Sequence, residues 1–295
     1  MRPALPITLL TLAGIAACHT PGSFTPRVDG VEVRDELEPL LRGVRAAPDD
    51  RAAGEAWNRH IAEVGLPTEG VRPEPLGKAI RASFPQLESL STALPADVRE
   101  VASAVGALHG RSVGARIWLV ALPADTPLLD QPDRILLNAR APAAANPLAR
   151  RALLARSMSA TLLPSTSGSL GPLAGTVYSR SLSAVAALTV VPGAPTSALT
   201  GRSEDDAARL RSRLPLLARE LLASLDSAAP SQVDRFFGAS SPDPLLPRGS
   251  GAFLCVELGA ALTRDLGSAE KAVRLTPGEF RRHASQALQR LASAP

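Results

Sequence analysis

Ala115-Arg-Ile-Trp-Leu-Val-Ala-Leu122 is the stretch that decides the fold class of this chain. Its aromatic and β-branched residues, and its stop at Pro123, predict a strand. It is the one convincing strand in a sequence otherwise patterned for helices. A long connection rich in proline and aspartate follows, and Arg134-Ile-Leu-Leu-Asn138 predicts a second, shorter strand. Upstream, apolar residues recur at helical spacing: Leu37, Leu40, Leu41 and Val44 in one segment, Ala53, Ala56, Trp57, Ile61 and Val64 in the next. Asp49 or Asp50 can cap the second segment, and Gly65-Leu-Pro67 ends it. Residues 75–84 and 96–109 predict two more short helices, the latter with Val98, Val101, Ala102, Val105 and Leu108 on one face.

Downstream of the strands the pattern is helical throughout. Residues 148–163 form one expected helix, ending before Pro164, and 170–191 another, running into Val191-Pro-Gly-Ala-Pro195. Residues 204–226 carry charges of alternating sign and a leucine stripe that Pro215 interrupts, so a kink or break is expected there. Helices over 251–266 and 277–291 close the chain, the last with a strong start signal in Thr276, Pro277 and Glu279. The expected fold is mainly α with a small β-sheet, an α+β chain without internal repeats, coiled-coil heptads or a mature transmembrane segment.

Composition narrows the function classes. Over 295 residues, 45% are hydrophobic and 20% charged, which is a globular chain and not a disordered one. Aromatics are only 3%, so the core must be built from Leu, Val and Ala, a mix that favours helices. The 32 basic residues, all but Lys78 and Lys271 arginine, exceed the 28 acidic ones by a surplus too small to mark a nucleic-acid surface. No basic cluster with interleaved aromatics exists to track and stack a strand, so no nucleic-acid partner is expected. Two Cys and four His exclude a cysteine-rich structural zinc module.

At the front, Met1-Arg2 is a short positive start, and Leu5–Ala17 is an apolar run broken only by Pro6, Thr8 and Thr11. It is too short to span a bilayer as a mature helix and has the shape of a secretory signal. It ends in Ile15-Ala-Ala-Cys18, which resembles the bacterial lipoprotein signal, where small residues precede a cysteine that is acylated and becomes the new N-terminus. The other readings are an ordinary signal peptide with a chance cysteine and a buried N-terminal helix. The resemblance implies a signal over 1–17, lipid on Cys18 as the link to the membrane, and a flexible tether over 18–34, where Pro21, Gly22, Pro26 and Gly30 cluster. His19 in place of Asp after the cysteine resembles lipoproteins sent to the outer membrane of the bacterial envelope. With Cys18 consumed, Cys255 has no internal partner, and in Ala252-Phe-Leu-Cys-Val-Glu-Leu258 it reads as a buried inert thiol rather than a nucleophile.

Residue types that carry chemistry are sparse. His19, His60, His109 and His283 show no metal-ligand spacing and no neighbouring paired carboxylates. Ser167-Gly-Ser-Leu-Gly171 lacks the first glycine and the preceding strand of a nucleophile elbow, and reads as a loop with Ser169 capping the helix at Leu170. Arg248-Gly-Ser-Gly251 lacks the lysine and spacing of a phosphate loop.

Read as an ordered series, the strands at 115–122 and 134–138, the helices at 148–163 and 170–191 and the late helix pair are similar to a family of predicted bacterial zinc-dependent peptidases of the gluzincin type. The resemblance covers roughly residues 112–291. It implies a metallopeptidase-like region over 112–295, continuous with a helical region over 35–111. In that family the first helix carries H-E-x-x-H, and the next a glutamate ligand after a tyrosine and before a run ending in Pro-Gly. Leu153-Leu-Ala-Arg-Ser-Met-Ser-Ala-Thr-Leu162 lies where the zinc motif belongs, and Tyr178-Ser-Arg-Ser-Leu-Ser-Ala184, leading to Val190-Val-Pro-Gly193, where the glutamate helix belongs. Phe236-Phe-Gly238 and the helix holding Gly259 resemble the closing region.

On this alignment the histidines become Arg156 and Ala160, the base becomes Ser157 and the glutamate becomes Arg180. A protonated guanidinium has no lone pair for a metal, so the resemblance implies a pseudopeptidase without a zinc cofactor. It acts in binding or scaffolding, with an envelope protein or peptide as partner. Arg156 and Arg180 either line a shared cleft that takes an anionic ligand or a partner's carboxylate, or they face solvent or pair with acids elsewhere. Two other readings stand beside this one: an active hydrolase using a serine of the Ser165–Ser169 loop with His109 or His283, and an envelope structural protein.

Overall fold

The structure, a computed structural model, describes residues 27–28, 30–66, 72–123, 127–131, 133–166, 169–238, 246–247 and 249–294. Among them the order is β1 (Arg27–Val28), β2 (Val31–Asp35), α1 (Leu37–Ala46), α2 (Asp50–Glu63), α3 (Pro73–Ala82), α4 (Phe84–His109), β3 (Ala115–Val120), β4 (Leu128–Asp130), β5 (Ile135–Asn138), α5 (Pro142–Ala145), α6 (Pro147–Leu162) and α7 (Pro172–Val190). Then come α8 (Thr196–Thr200), α9 (Glu204–Arg211), α10 (Leu214–Ser224), α11 (Ser231–Phe237), α12 (Ser250–Leu266), α13 (Ala269–Val273) and α14 (Pro277–Ser293). The α+β reading holds. Helices predominate around one mixed sheet of order β1-β2-β3-β5-β4. The signal run, Cys18 and the first part of the expected tether lie outside the described residues.

The strand that decided the class sits at the centre of that sheet. β3 pairs in parallel with β2 and β5, with Ile117 opposite both Val33 and Ile135. β1 and β4 pair antiparallel at the two edges. Being central, β3 and β5 are covered by helices, and Ile117, Leu119 and the whole of Ile135–Asn138 are buried. Past its end, β3 is captured by side chains. Trp57 Nε1 donates to the Ala121 carbonyl at 2.7 Å, the Ala121 amide donates to His60 Nε2 at 3.4 Å, and the Leu122 amide donates to Asn138 Oδ1 at 2.9 Å. Backbone groups that leave the ladder thus find partners without reaching water.

The expected tether needs correcting at its end, because residues 27–28 and 31–34 are strand. Val31 and Val33 are buried against β3, and two valines in a polar surround gave too short a pattern to announce a strand. The helix expected at 96–109 begins at Phe84. Pro95 lies inside it and removes one helical hydrogen bond, but Leu87, Leu90, Leu94, Val98, Val101 and Val105 bury one continuous stripe, which outweighs that loss. The leucine-rich stretch breaks as expected, at Ser212–Arg213, with Pro215 in the first turn of α10. Ser169 is not a cap: α7 starts at Pro172 behind Gly171, and the Ser169 hydroxyl donates to the Thr166 carbonyl. Thr276 and Glu279 form the full capping box.

Among the described residues a small cluster of Val185, Ala186, Ala272 and Val273 accompanies two large apolar cores. One joins the sheet to α1–α6, and the other joins α9–α12 and α14. Helix α7 belongs to both, with Ala184 and Ala187 in the first and Leu173, Val177, Tyr178 and Leu182 in the second. Tyr178 fixes it to the C-terminal helices, edge-on to Phe280 at 5.1 Å and donating to the Leu275 carbonyl at 3.0 Å.

Helices α2 and α3 meet backbone to backbone. A methyl group on Gly54 would stand 1.7 Å from the Pro73 carbonyl oxygen, and one on Gly77 would stand 1.6 Å from that of Asp50. Neither obstacle is a flexible side chain, so the helices must part. We expect Gly54→Ala and Gly77→Ala each to lower the free energy of unfolding by about 3 kcal/mol in urea melts. Gly278→Ala, where the new methyl meets nothing within 4 Å, loses none.

Candidate functional site

The packing of α6 against α7 leaves a cavity of about 170 Å³, closed by the end of β4, by α8 and by α12. Its walls are Asp130 from β4; Arg156, Ser157 and Ala160 from α6; Ser179, Arg180, Ser183 and Ala184 from α7; Leu199 from α8; and Ala252, Cys255 and Val256 from α12. All four positions singled out by the resemblance line this one space. Arg156 and Ala160 stand one helical turn apart, as do Arg180 and Ala184, so each helix presents one face to the cavity. Helix α12 comes close enough to form the roof because Gly259 carries no side chain. A methyl there would lie 2.9 Å from the Ser181 carbonyl oxygen and 3.0 Å from Val185 Cγ2.

The arginines of α6 are treated in two ways. Arg150 is buried and fully engaged, its Nε donating to Asp97 Oδ2 at 2.7 Å and its Nη1 to the Ala144 carbonyl at 2.7 Å. Arg151 Nε completes that cluster on Asp97 Oδ1 at 2.6 Å. Arg156, two turns on, is enclosed by protein but keeps a face open to the cavity, and among the described residues its one hydrogen bond runs from Nη1 to the Leu199 carbonyl at 3.3 Å. Burial pushes its pKa down, Asp130 pulls it back up and Arg180 pushes it down again. It keeps its proton nonetheless, because an arginine does not lose it in a protein.

The rest of the wall gives that charge no close ion pair among the described residues. The Asp130 carboxylate accepts from the Ser157 hydroxyl at 2.7 Å and not from a guanidinium. Arg180 is exposed, with its guanidinium 4.8 Å over the Phe237 ring. The Cys255 thiol is pushed up to about 11, chiefly by burial and against the opposing pull of Ser181 and Arg180, so it is neutral at physiological pH. It is the buried, inert thiol expected from its apolar run. Two guanidinium groups against one carboxylate leave an excess of one positive charge on the cavity wall.

Comparison with protein-family models, with curated proteins and with solved structures finds no match.

The walls do not suit the zinc ion that the resembled family binds. Arg156 and Arg180 are cations without lone pairs, Ala160 is a methyl, and the metal-type donors on the wall are Asp130 and the neutral Cys255 thiol, two where a structural or catalytic zinc needs at least three. Among the described residues no three His, Cys, Asp or Glu side chains gather as a metal site requires.

The histidines sit elsewhere. His60 is buried beneath β3, and burial lowers its pKa to about 4. His109 Nε2 lies 2.8 Å from the Ser159 hydroxyl, not against the Ser165–Ser169 loop. Burial, followed by Arg111 and Arg274, lowers its pKa to about 4 as well. Ser159 is fully buried, and no acid is hydrogen-bonded to the ring among the described residues, so this pair lacks the access and the orienter of a nucleophilic site. Asp130, Ser179 and Ser183 are wall residues that sequence reading missed. The serines flank Arg180 at one and three residues and were visible by helical spacing. Asp130 was not, because β4 forms only by pairing with β5.

Both neutral histidines make the fold acid-sensitive. Their folded pKa values lie below the ordinary value near 6.5, so the unfolded chain binds protons first as pH falls. The stability they contribute is complete above pH 6.5 and is lost as pH drops towards 4, on the order of 3 kcal/mol for His60. Urea melts across that window should show the decline, and His60→Gln should flatten it.

Proposed function

We propose that this chain is a lipid-anchored protein of the bacterial envelope, held to the membrane through Cys18. In this reading it carries a metallopeptidase-like domain that binds an anionic group in the α6/α7 cavity and performs no peptidase chemistry. The observation that supports binding is the state of Arg156. A guanidinium enclosed by protein, facing a cavity and lacking an ion pair among the described residues destabilises the fold unless an anion completes it. Arg150, on the same helix, has its acid built in; Arg156 has its acid left out. A donated carboxylate or similar oxyanion, held by both Arg156 and Arg180, supplies the missing partner through charge-assisted hydrogen bonds.

Zinc-peptidase catalysis needs a metal-bound water and a base beside it. The residues at those positions are Arg156, Ser157, Ala160 and Arg180, which supply neither, so the reading is binding without turnover. No helix among the described residues is long and apolar enough to cross a membrane. Attachment in this reading rests on the acyl chains alone, with His19 directing the protein to the outer membrane.

Replacing a buried charge with an apolar side chain separates binding from stability. Arg156→Met should raise the free energy of unfolding by about 1 kcal/mol, because a desolvated cation is removed. It should also abolish the rise in melting temperature that sodium acetate gives the parent protein at constant ionic strength. A variant that melts lower and still responds to acetate defeats the reading. For the anchor, Cys18→Ser should abolish incorporation of labelled palmitate and move the protein out of the membrane fraction. Retention in that fraction without label would mean a different attachment.

A further inference from the structure

We infer that the group the cavity receives is the C-terminal carboxylate of a peptide, with the preceding residues lying in an outer groove that shares the Ser179–Arg180 wall. This rests on the anion-binding reading above and names its ligand. Charge comes first. The cavity holds an excess of one positive charge and keeps Asp130 on its wall, which suits a monoanion and repels a doubly charged phosphate. Size comes second. At about 170 Å³ the space is below the ~300–1,000 Å³ typical of a whole small-molecule ligand, so it takes the end of something larger.

The neighbouring groove says where the remainder goes. On the other side of Ser179 and Arg180 lies a groove of about 510 Å³ in which, among the described residues, Arg180 is the one charged wall residue. Thr166, Leu170, Gly171, Pro172, Gly175 and Thr176 make up the rest of that wall, a surface suited to an uncharged peptide backbone with small side chains. Arg180 is exposed and therefore reachable from solvent, whereas Arg156 is enclosed. A ligand entering past Arg180 reaches Arg156 with its tip, so the charge belongs at the end of the chain. A guanidinium matches the planar carboxylate in a two-pronged hydrogen bond.

The test uses the full-length chain in detergent and isothermal titration calorimetry. The probes are N-acetyl-trialanine with a free C-terminus, the same peptide as its C-terminal amide, sodium acetate and inorganic phosphate. The free acid should bind at least about tenfold more tightly than the amide, and about tenfold more tightly than acetate or phosphate. Arg156→Met and Arg180→Met should each weaken the free acid by about tenfold or more. Thr176→Trp, which fills the groove and leaves both arginines in place, should weaken the peptide while acetate binds as before.

Equal binding of acid and amide overturns the terminal-carboxylate inference. Acetate or phosphate binding as tightly as the peptide, unaffected by Thr176→Trp but lost in Arg156→Met, overturns the peptide and leaves the anion site standing. No binding of any probe, with Arg156→Met indistinguishable from the parent, overturns both.

Discussion

The 19 residues of α7, Pro172–Val190, run between two apolar cores, and the space allowed to that helix constrains everything packed around it. A helix buried on nearly every side cannot carry an amphipathic stripe and must be small wherever a neighbour comes close. Its sequence obeys this: Ala174, Ser181, Ser183, Ala184, Ala186 and Ala187 are buried without bulk, while Leu173, Val177, Tyr178 and Leu182 fill the second core. The same demand appears on α12, where Gly259 lets its backbone lie against that of α7. Arg180 is the exposed exception in the middle of this helix, and the cavity opens where it stands.

Three arginines of one helix show how the fold treats charge. Arg150 and Arg151 share the buried carboxylate of Asp97, and with it they bind α6 to α4. Such a cluster stays folded because its members satisfy one another, and breaking it strands a charge in the interior. Arg156 is partly buried, and the fold gives it a backbone carbonyl and a serine-occupied aspartate nearby. Stability alone gives no account of that arrangement, because an apolar side chain of the same size would pack there at less cost. The anion-binding reading proposed above gives one, since a partly desolvated cation with spare hydrogen-bond donors favours a bound anion.

Much of the scaffold was legible in advance. The helices at 37–46, 50–63, 147–162, 172–190 and 277–293 each carried an apolar repeat with a cap or a proline at one end, so local sequence and final environment agreed. The failures share a cause. Val31–Asp35 and Leu128–Asp130 are short and hold their shape only by pairing with strands distant in the chain or across a turn, and so they show no pattern of their own. Phe84–Pro95 was hidden because Pro95 argues locally for a break, and only the depth of burial along α4 overrules it.

The sequence by itself determined the class of fold, the positions of the long helices and the placing of Arg156, Ser157, Ala160 and Arg180 on two of them. These are statements about periodicity and residue chemistry, which need no neighbours. That these four residues face one cavity, that Asp130 from an unannounced strand joins them, and that Arg156 goes without the acid that Arg150 has, were decided by tertiary structure alone. The reason is physical. The state of a charge depends on what stands within a few ångströms of it, and in this site those neighbours come from five separate elements of the chain.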